Sequence, residues 1–571
     1  MEARKWGFFI VALELATASS ALLVRAPALR AAASARALMA GAAPPSWRKP
    51  TVWGQQVHSA VKRRPRHRGG ARHRGAAGPA ATAARSAPET TFEWRSEWFP
   101  LAPVRDLAAD APNKLTLLGM DLVAWQHAPS GSWRVFADLC PHRLVPLSEG
   151  RVEAGGVLQC AYHGWEFGPE GACTRIPQLG PGLCEDSPAL RSPRACATSF
   201  PVQVAQGLLW VFPTADVQAA ADKEPALIPE LDDPSFVDAT DFFVRDMPYS
   251  WEILVENLCD PSHIAFAHHA LMNGADRLAA MDIDMRVMDE TVSGFRAQKH
   301  PYPGGTGRYD VEFRAPCLIT YTIVADSPRP SHLGLGQYCV PTRPGWCRLL
   351  TRFPFRLSFG PAMHILRATP RWVTHLSQNA VMDSDVVFLA SQDEHRLHTG
   401  HTQRQGLKYY LPAESDAMVS ALHRWIARPG CGSPPWLGRA AARSAGEAGG
   451  WTRPRRVPRR QGRDALLDRY TQHTDICRDC RRVHAALYAG VDAAFAVGVC
   501  LLACAAAGVG GVVAGFNGVG IGRVVMAGLG AVFMAGKFAA QPLIARLECA
   551  PWPRRGWKAP TPARLMAERA R

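Results

Sequence analysis

The hydrophobic pattern changes character several times along the chain. Leu115 to Trp125 and Ser132 to Ala137 read as short strands with turn residues between them, and Ser199 to Pro213 reads as a hairpin turning at Gln206 and Gly207. Met281 to Tyr338 alternates apolar and polar residues in strand fashion, whereas Asn379 to Leu397 reads as a helix. Ala493 to Phe516 carries no charge over more than the roughly twenty residues a membrane helix needs. Gly518 to Ala545 is a second apolar segment, with Arg523 and Lys537 near its ends where long stems can snorkel. The pattern predicts an α+β protein. An all-β region comes first, then antiparallel strands wrapped against a helix, then a C-terminal transmembrane helical hairpin.

Charge and composition add boundaries to this picture. The 571 residues carry a net charge of +16, and the excess is uneven, because no Asp or Glu occurs from Leu15 to Pro88. An acidic-poor, Arg- and Ala-rich start before a folded domain points to organelle targeting. The tract from Lys62 to Gly75 lacks the interleaved aromatics that stacking on bases requires, so nucleic acid is not expected as a partner. The apolar run after Arg4 and Lys5 has the look of a signal-peptide core, interrupted by Glu14. A signal peptide followed by a transit peptide suits a plastid bounded by extra membranes; a single chloroplast transit peptide is the alternative. The expected divisions are a presequence (1–90), an all-β domain (91–217), a catalytic domain (218–429), a linker (430–487), two membrane helices (488–546) and a basic tail (547–571). Arg residues before the first helix and Arg546, Arg554, Arg555 and Lys558 after the second put both flanks on one side of the membrane. The 15 cysteines are scattered, several in apolar runs, and give no disulfide framework.

The chemistry is concentrated in three places. Cys140 and His142 form a C-x-H pair, and after seventeen intervening residues Cys160 and His163 form a C-x2-H pair. Two thiolates and two imidazoles in such pairs suit a Rieske [2Fe–2S] cluster, the thiolates on one iron and the imidazoles on the other. A structural zinc site is the bland alternative, but zinc motifs usually pair Cys with Cys and His with His. Next, Trp251 to Ala270 contains Asn257, Asp260, His263 and His268 in an N-x2-D-x2-H-x4-H arrangement. Two His and a carboxylate on one face of Fe(II) leave positions open for O2 and substrate. Residues five apart on an ideal α-helix lie about 140° apart, so a π-bulge or a break is expected between His263 and His268. Asp385 and Asp383 are the candidates for the carboxylate. Finally, Cys477 and Cys480 form a C-x2-C pair with Arg478, Arg481 and Arg482 nearby. Such a pair can be a redox switch, half of a zinc site, or neither. No G-x-G-x-x-G follows a strand, so electrons must come from a partner.

The stretches CPHR and CAYHGWEFGPEGACTRIP resemble the Rieske oxygenases. ENLCDPSHIAFAHHALMN, DSDVVFLASQ and KYYLPAESDAMVSALHRWI narrow the resemblance to the chloroplast group of pheophorbide a oxygenase. That group also includes protochlorophyllide a oxygenase, chlorophyllide a oxygenase and the Rieske component of the inner-envelope import translocon. The resemblance implies a helix-grip catalytic domain, a Rieske cluster and a mononuclear Fe(II). It also implies ferredoxin as donor, a lipophilic chlorophyll-type substrate and a plastid envelope or thylakoid membrane with the catalytic domains in the stroma. A D-x6-Q pattern selects Asp385, with Gln392, as the third iron ligand and leaves Asp383 as runner-up. Asp260 is implied to link a cluster His of one subunit to an iron His of the next, within a homotrimeric ring. The C-x2-C pair is implied to be reducible by thioredoxin, and chlorophyllide a oxygenase lacks it. The other readings are a redox sensor of the translocon and an oxygenase of another lipid, such as a carotenoid or sterol.

Overall fold

The computed structural model describes residues 92–180, 187–238, 241–269, 271–272, 275, 277, 283–299, 308–325, 331–356, 368–399, 409–428, 431–436, 462–507 and 519–549. The expected presequence, residues 437–461 of the linker, the loop around Asn517 and the tail beyond Cys549 lie outside them.

The first half is built from small antiparallel sheets. Strands Asn113–Leu117, Met120–His127, Ser132–Ala137 and Ser199–Phe200 form one four-stranded sheet. Four very short strands, Arg151–Val152, Leu158–Gln159, Glu166–Phe167 and Cys173–Arg175, form a second. Between them lies a separate core of Val123, Trp125, Phe136, Leu147, Leu158 and Phe167, into which Cys140 and Cys160 are also packed. A third sheet joins Phe99–Pro103 to the predicted hairpin, Val202–Ala205 and Leu208–Val211. Its turn is at Gln206 and Gly207, both with positive φ.

The second half is an antiparallel sheet of nine strands among the described residues. Its two-residue periodicity is plain in Arg308–Arg314, where Val311 and Phe313 are buried while Asp310, Glu312 and Arg314 are not. Val311 pairs with Ala297 and Phe313 with Phe295 on the neighbouring strand, so one face of the sheet is apolar. That face is covered by helices Trp251–Leu258 and Ala417–Ala427. The latter buries Met418, Val419, Ala421, Leu422, Trp425 and Ile426, the stripe of an amphipathic helix. The indole of Trp94, from the first described residues, packs edge-on against Trp251 at 5.1 Å, so the two halves share one main core. The long helix Arg371–Thr399 contains the predicted Asn379–Leu397 segment and begins eight residues before it.

At the C-terminus, Arg478–Ala507 and Val524–Glu548, the latter within helix Val519–Glu548, are long and apolar enough to cross a membrane. They approach closely at Gly498 and Gly530, where a Cβ on either would come within 3.1 Å of the other's carbonyl oxygen. Phe495, Val499, Leu502, Val525, Leu529 and Phe533 remain exposed on the pair. The first helix starts at Arg478, well before the predicted apolar segment. A buried polar network ties its approach to the half built on the nine-stranded sheet. Asp383 bonds Arg245 at 2.6 Å and Arg469 at 2.7 Å, and Gln472 accepts from Arg245 at 2.8 Å. With both guanidinium groups buried, Asp383→Asn would leave cationic charge without a counter-charge. The substitution is expected to cost about 3–5 kcal/mol, read as a lowered thermal unfolding midpoint of the full chain.

Candidate functional site

The two halves of the C-x-H/C-x2-H motif fold into matching loops. In the first, the Cys140 amide donates to Val145 O at 2.8 Å and the Leu144 amide to Cys140 O at 2.8 Å. In the second, Cys160 donates to Trp165 O at 2.8 Å and Gly164 to Cys160 O at 3.0 Å. The equivalent positions Leu144 and Gly164 both have positive φ, 58° and 69°. Gly164 adopts that conformation freely, and Leu144 does so with its side chain exposed. The loops bring the His142 and His163 rings to 4.6 Å and stack His142 on Trp165, with centroids 4.6 Å apart and planes 7° apart. Gln178 fixes the second loop by donating to His163 O at 2.8 Å. Cys140 and Cys160 are buried side by side, and burial pushes the Cys140 thiol up to about 11. The Nδ1 atom of His142 is buried with no hydrogen-bond partner. Two adjoining buried sulfurs and a lone pair left without a donor are what a Rieske cluster would satisfy, so the residues fit that group.

The second site forms where helix Trp251–Leu258 ends at Cys259. A π-bulge or a break is expected between the two histidines; the residues between them instead form a regular α-helical turn, and the helix ends at His268 itself. His263 starts and His268 ends a one-turn helix, Ile264–Ala267, and His268 leaves helical geometry at φ −98°, ψ 16°. The imidazoles thereby converge, with Nε2 to Nε2 at 3.2 Å. Asp385, from the long helix, brings Oδ2 to 3.4 Å from His268 Nε2 and 3.8 Å from His263 Nε2. These are roughly the separations of neighbouring ligands bound at ~2.1 Å to one first-row metal.

Both imidazoles are held in the tautomer a metal needs. His263 Nδ1 contacts the backbone carbonyl of Asp260, and since a carbonyl only accepts, Nδ1 carries the hydrogen. Ser384 gives its own hydrogen to Val381 O at 2.6 Å, so at 2.7 Å it accepts from His268 Nδ1. Each Nε2 lone pair is then free and aimed inward. Burial lowers the pKa of both rings, that of His268 to about 3, so both are neutral. Burial drives the Asp385 carboxyl up to about 8. Asn257 lies against it and lowers it without making a well-formed hydrogen bond to Oδ1, which has no partner. Two neutral imidazoles around a carboxyl that lacks a counter-charge fit a divalent metal.

Asp383, the runner-up, is taken up by Arg245 and Arg469 and is absent from this cluster. Gln392 donates to Glu256 at 2.9 Å and Tyr409 at 2.8 Å. Asp260 caps the loop by accepting from the Ser262 amide at 2.8 Å, and its Oδ2 is 3.9 Å from His263 Nδ1. Sequence reasoning missed Ser384, although it directly precedes the chosen Asp385. Cys477 and Cys480 are buried far along the chain, with His375 and His473 beside them.

Comparison with known proteins gives three matching family models. They are the Rieske [2Fe-2S] domain over residues 97–201, the vanillate O-demethylase oxygenase C-terminal domain over 247–340 and pheophorbide a oxygenase over 313–403. Together these spans contain the cluster motif, the two histidines and Asp385. The chloroplastic pheophorbide a oxygenase of Arabidopsis thaliana is 35% identical over 78% of this chain and 81% of its own length. That of Oryza sativa subsp. japonica is 34% identical over 74% and 79%. A chloroplastic flavonoid 8-hydroxylase 2 of Ocimum basilicum is also 34% identical, over 69% of this chain and 74% of its own.

Ser384→Ala would leave the His268 Nδ1 hydrogen without an acceptor. Iron affinity at this site is expected to fall about 10–100-fold in chelator competition, while the visible absorption of the cluster is unchanged.

Proposed function

Because the chain belongs to the pheophorbide a oxygenase group of Rieske non-haem iron oxygenases, with a Rieske cluster and a mononuclear iron as cofactors, we propose that it oxygenates a chlorophyll-type tetrapyrrole in the plastid. It takes electrons from a ferredoxin-type donor and is anchored by its two C-terminal helices. The observation that carries this reading is the convergence of His263, His268 and Asp385 in a chain that also holds the cluster loops. A redox sensor has no use for such a triad. The exposed apolar helix pair supports the anchor, and an anchored enzyme suits a substrate that partitions into lipid. Among tetrapyrroles, pheophorbide a comes first, followed by protochlorophyllide a and chlorophyllide a.

When bound, the cluster supplies single electrons and the ferrous ion activates O2. Cys140 and Cys160, which are buried, and His142 and His163, which are less so, would hold the cluster. His263, His268 and Asp385 would hold the ferrous ion. Asn257 steadies the Asp385 carboxyl. Asp260 orients His263, and its partly exposed carboxylate has capacity for a second partner. We assign that partner as a cluster histidine of a second copy in a head-to-tail trimer, giving a short path between the two sites.

The flavonoid 8-hydroxylase relative favours a second reading, oxygenation of another apolar aromatic compound. Turnover with reduced ferredoxin, O2 and a panel of tetrapyrroles and flavonoids, with products read by mass, separates the two. Oxygen added to pheophorbide a is the expected result. Asp260→Asn is expected to retain both metals and lose about 10–100-fold in turnover; undiminished turnover would place the electron path elsewhere.

A further inference from the structure

His375, His473, Cys477 and Cys480 form a second constellation that the oxygenase chemistry does not use. His375 comes from the long helix Arg371–Thr399, His473 from a single π-helical turn Tyr470–Thr474 and Cys480 from the first turn of the apolar helix Arg478–Ala507, which Cys477 directly precedes. All four are at most 2% exposed, and their ligating atoms lie within 4.8 Å of one another. His473 Nε2 is 3.3 Å from Cys480 Sγ, and His375 Nδ1 is 3.5 Å from the sulfur of each cysteine. A tetrahedral zinc with sulfur at about 2.3 Å and nitrogen at about 2.0–2.1 Å puts its sulfur and nitrogen ligands about 3.5 Å apart. The donors are therefore already spaced as the corners around one ion. A Rieske cluster uses the same donor types but holds thiolates and imidazoles apart on two irons.

The surroundings agree with this assignment. His473 Nδ1 donates to Val244 O at 2.6 Å, which leaves the Nε2 lone pair turned towards Cys480. The Phe243 ring flanks both imidazoles, with centroids 5.4 Å from His375 and 4.7 Å from His473. Trp372, Leu376, Val483, Leu487 and Leu547 close the cysteine side. Two thiolates cancel a 2+ charge, so the loaded site is a neutral unit suited to an apolar interior. Four protein ligands leave no open position, which marks a structural rather than a catalytic site. A disulfide between cysteines this deeply buried would also be poorly placed for attack by an external thiolate.

We propose that His375, His473, Cys477 and Cys480 bind one Zn2+ in a closed tetrahedral site, distinct from both iron sites, that rivets the first apolar helix to the catalytic half. His375 lies on the same helix as Asp385, ten residues earlier. The rivet therefore holds the helix that supplies the iron carboxylate.

The test uses the full chain, purified anaerobically in detergent with its iron centres intact. Elemental analysis is expected to find one zinc per chain in addition to iron. His473→Ala and Cys480→Ser are each expected to lose that zinc and keep the cluster absorption. His263→Ala is expected to keep it, which excludes zinc that has strayed into the iron triad. Should the first two variants fail to fold, the wild-type chain grown with cobalt provides an independent reading. Intense visible bands of tetrahedral Co2+ with thiolate charge transfer, abolished by one equivalent of zinc, support the site. The proposal is overturned by a zinc-free protein whose Cys477 and Cys480 titrate as free thiols or as a thioredoxin-reducible disulfide. It is equally overturned by zinc that disappears in His263→Ala but persists in His473→Ala.

Discussion

A carboxylate taken out of water needs a counter-charge, and the groups that act on Asp385 are two neutral imidazoles, an amide and the like charge of Asp260. Burial pushes its carboxyl up to about 8. A divalent cation bound between His263, His268 and Asp385 removes that penalty and satisfies all three donors at once. Much of the catalytic half serves to keep these side chains in place. The helix end at His268 turns two residues that a continuous helix would separate towards one point. The Asp260 carbonyl and the Ser384 hydroxyl then fix which nitrogen of each ring carries the hydrogen.

The long helix Arg371–Thr399 does several jobs because successive residues point about 100° apart around it. Asp383 faces Arg245 and Arg469 and so joins the C-terminal arm to the core. Ser384 faces His268, and Asp385 faces the metal position. Two turns and more towards its start, His375 meets the C-x2-C pair. The proposed iron site, the arm and the proposed zinc cage thus share one helix. The apolar helix pair continues from the same cage, which couples any membrane anchor to the catalytic half.

What could be read in the sequence was local. The C-x-H and C-x2-H pairs announce their chemistry by spacing alone, and strand alternation at Arg308–Arg314 survives intact in the fold. The five-residue spacing of His263 and His268 required a departure from ideal helix, and it is found at His268, where the helix ends, rather than between the two residues. Choosing Asp385 over Asp383 needed a family pattern, because the arginines that occupy Asp383 are 138 and 86 residues away in the chain. Ser384 carries no signal, since a hydroxyl behind a ligand's far nitrogen has no characteristic spacing. The cysteine pair was visible, with His473 four residues before Cys477 as an unread hint. His375 lies 102 residues before Cys477 and only the fold reveals it.

The central claim is that His263, His268 and Asp385 hold an iron separate from the cluster. Electron paramagnetic resonance of the reduced protein exposed to nitric oxide tests it most directly, because nitric oxide reports a ferrous site with open positions and the reduced cluster has its own signal. The wild-type chain is expected to give both signals, and Asp385→Ala only that of the cluster. Persistence of the ferrous–nitrosyl signal in Asp385→Ala would contradict the account.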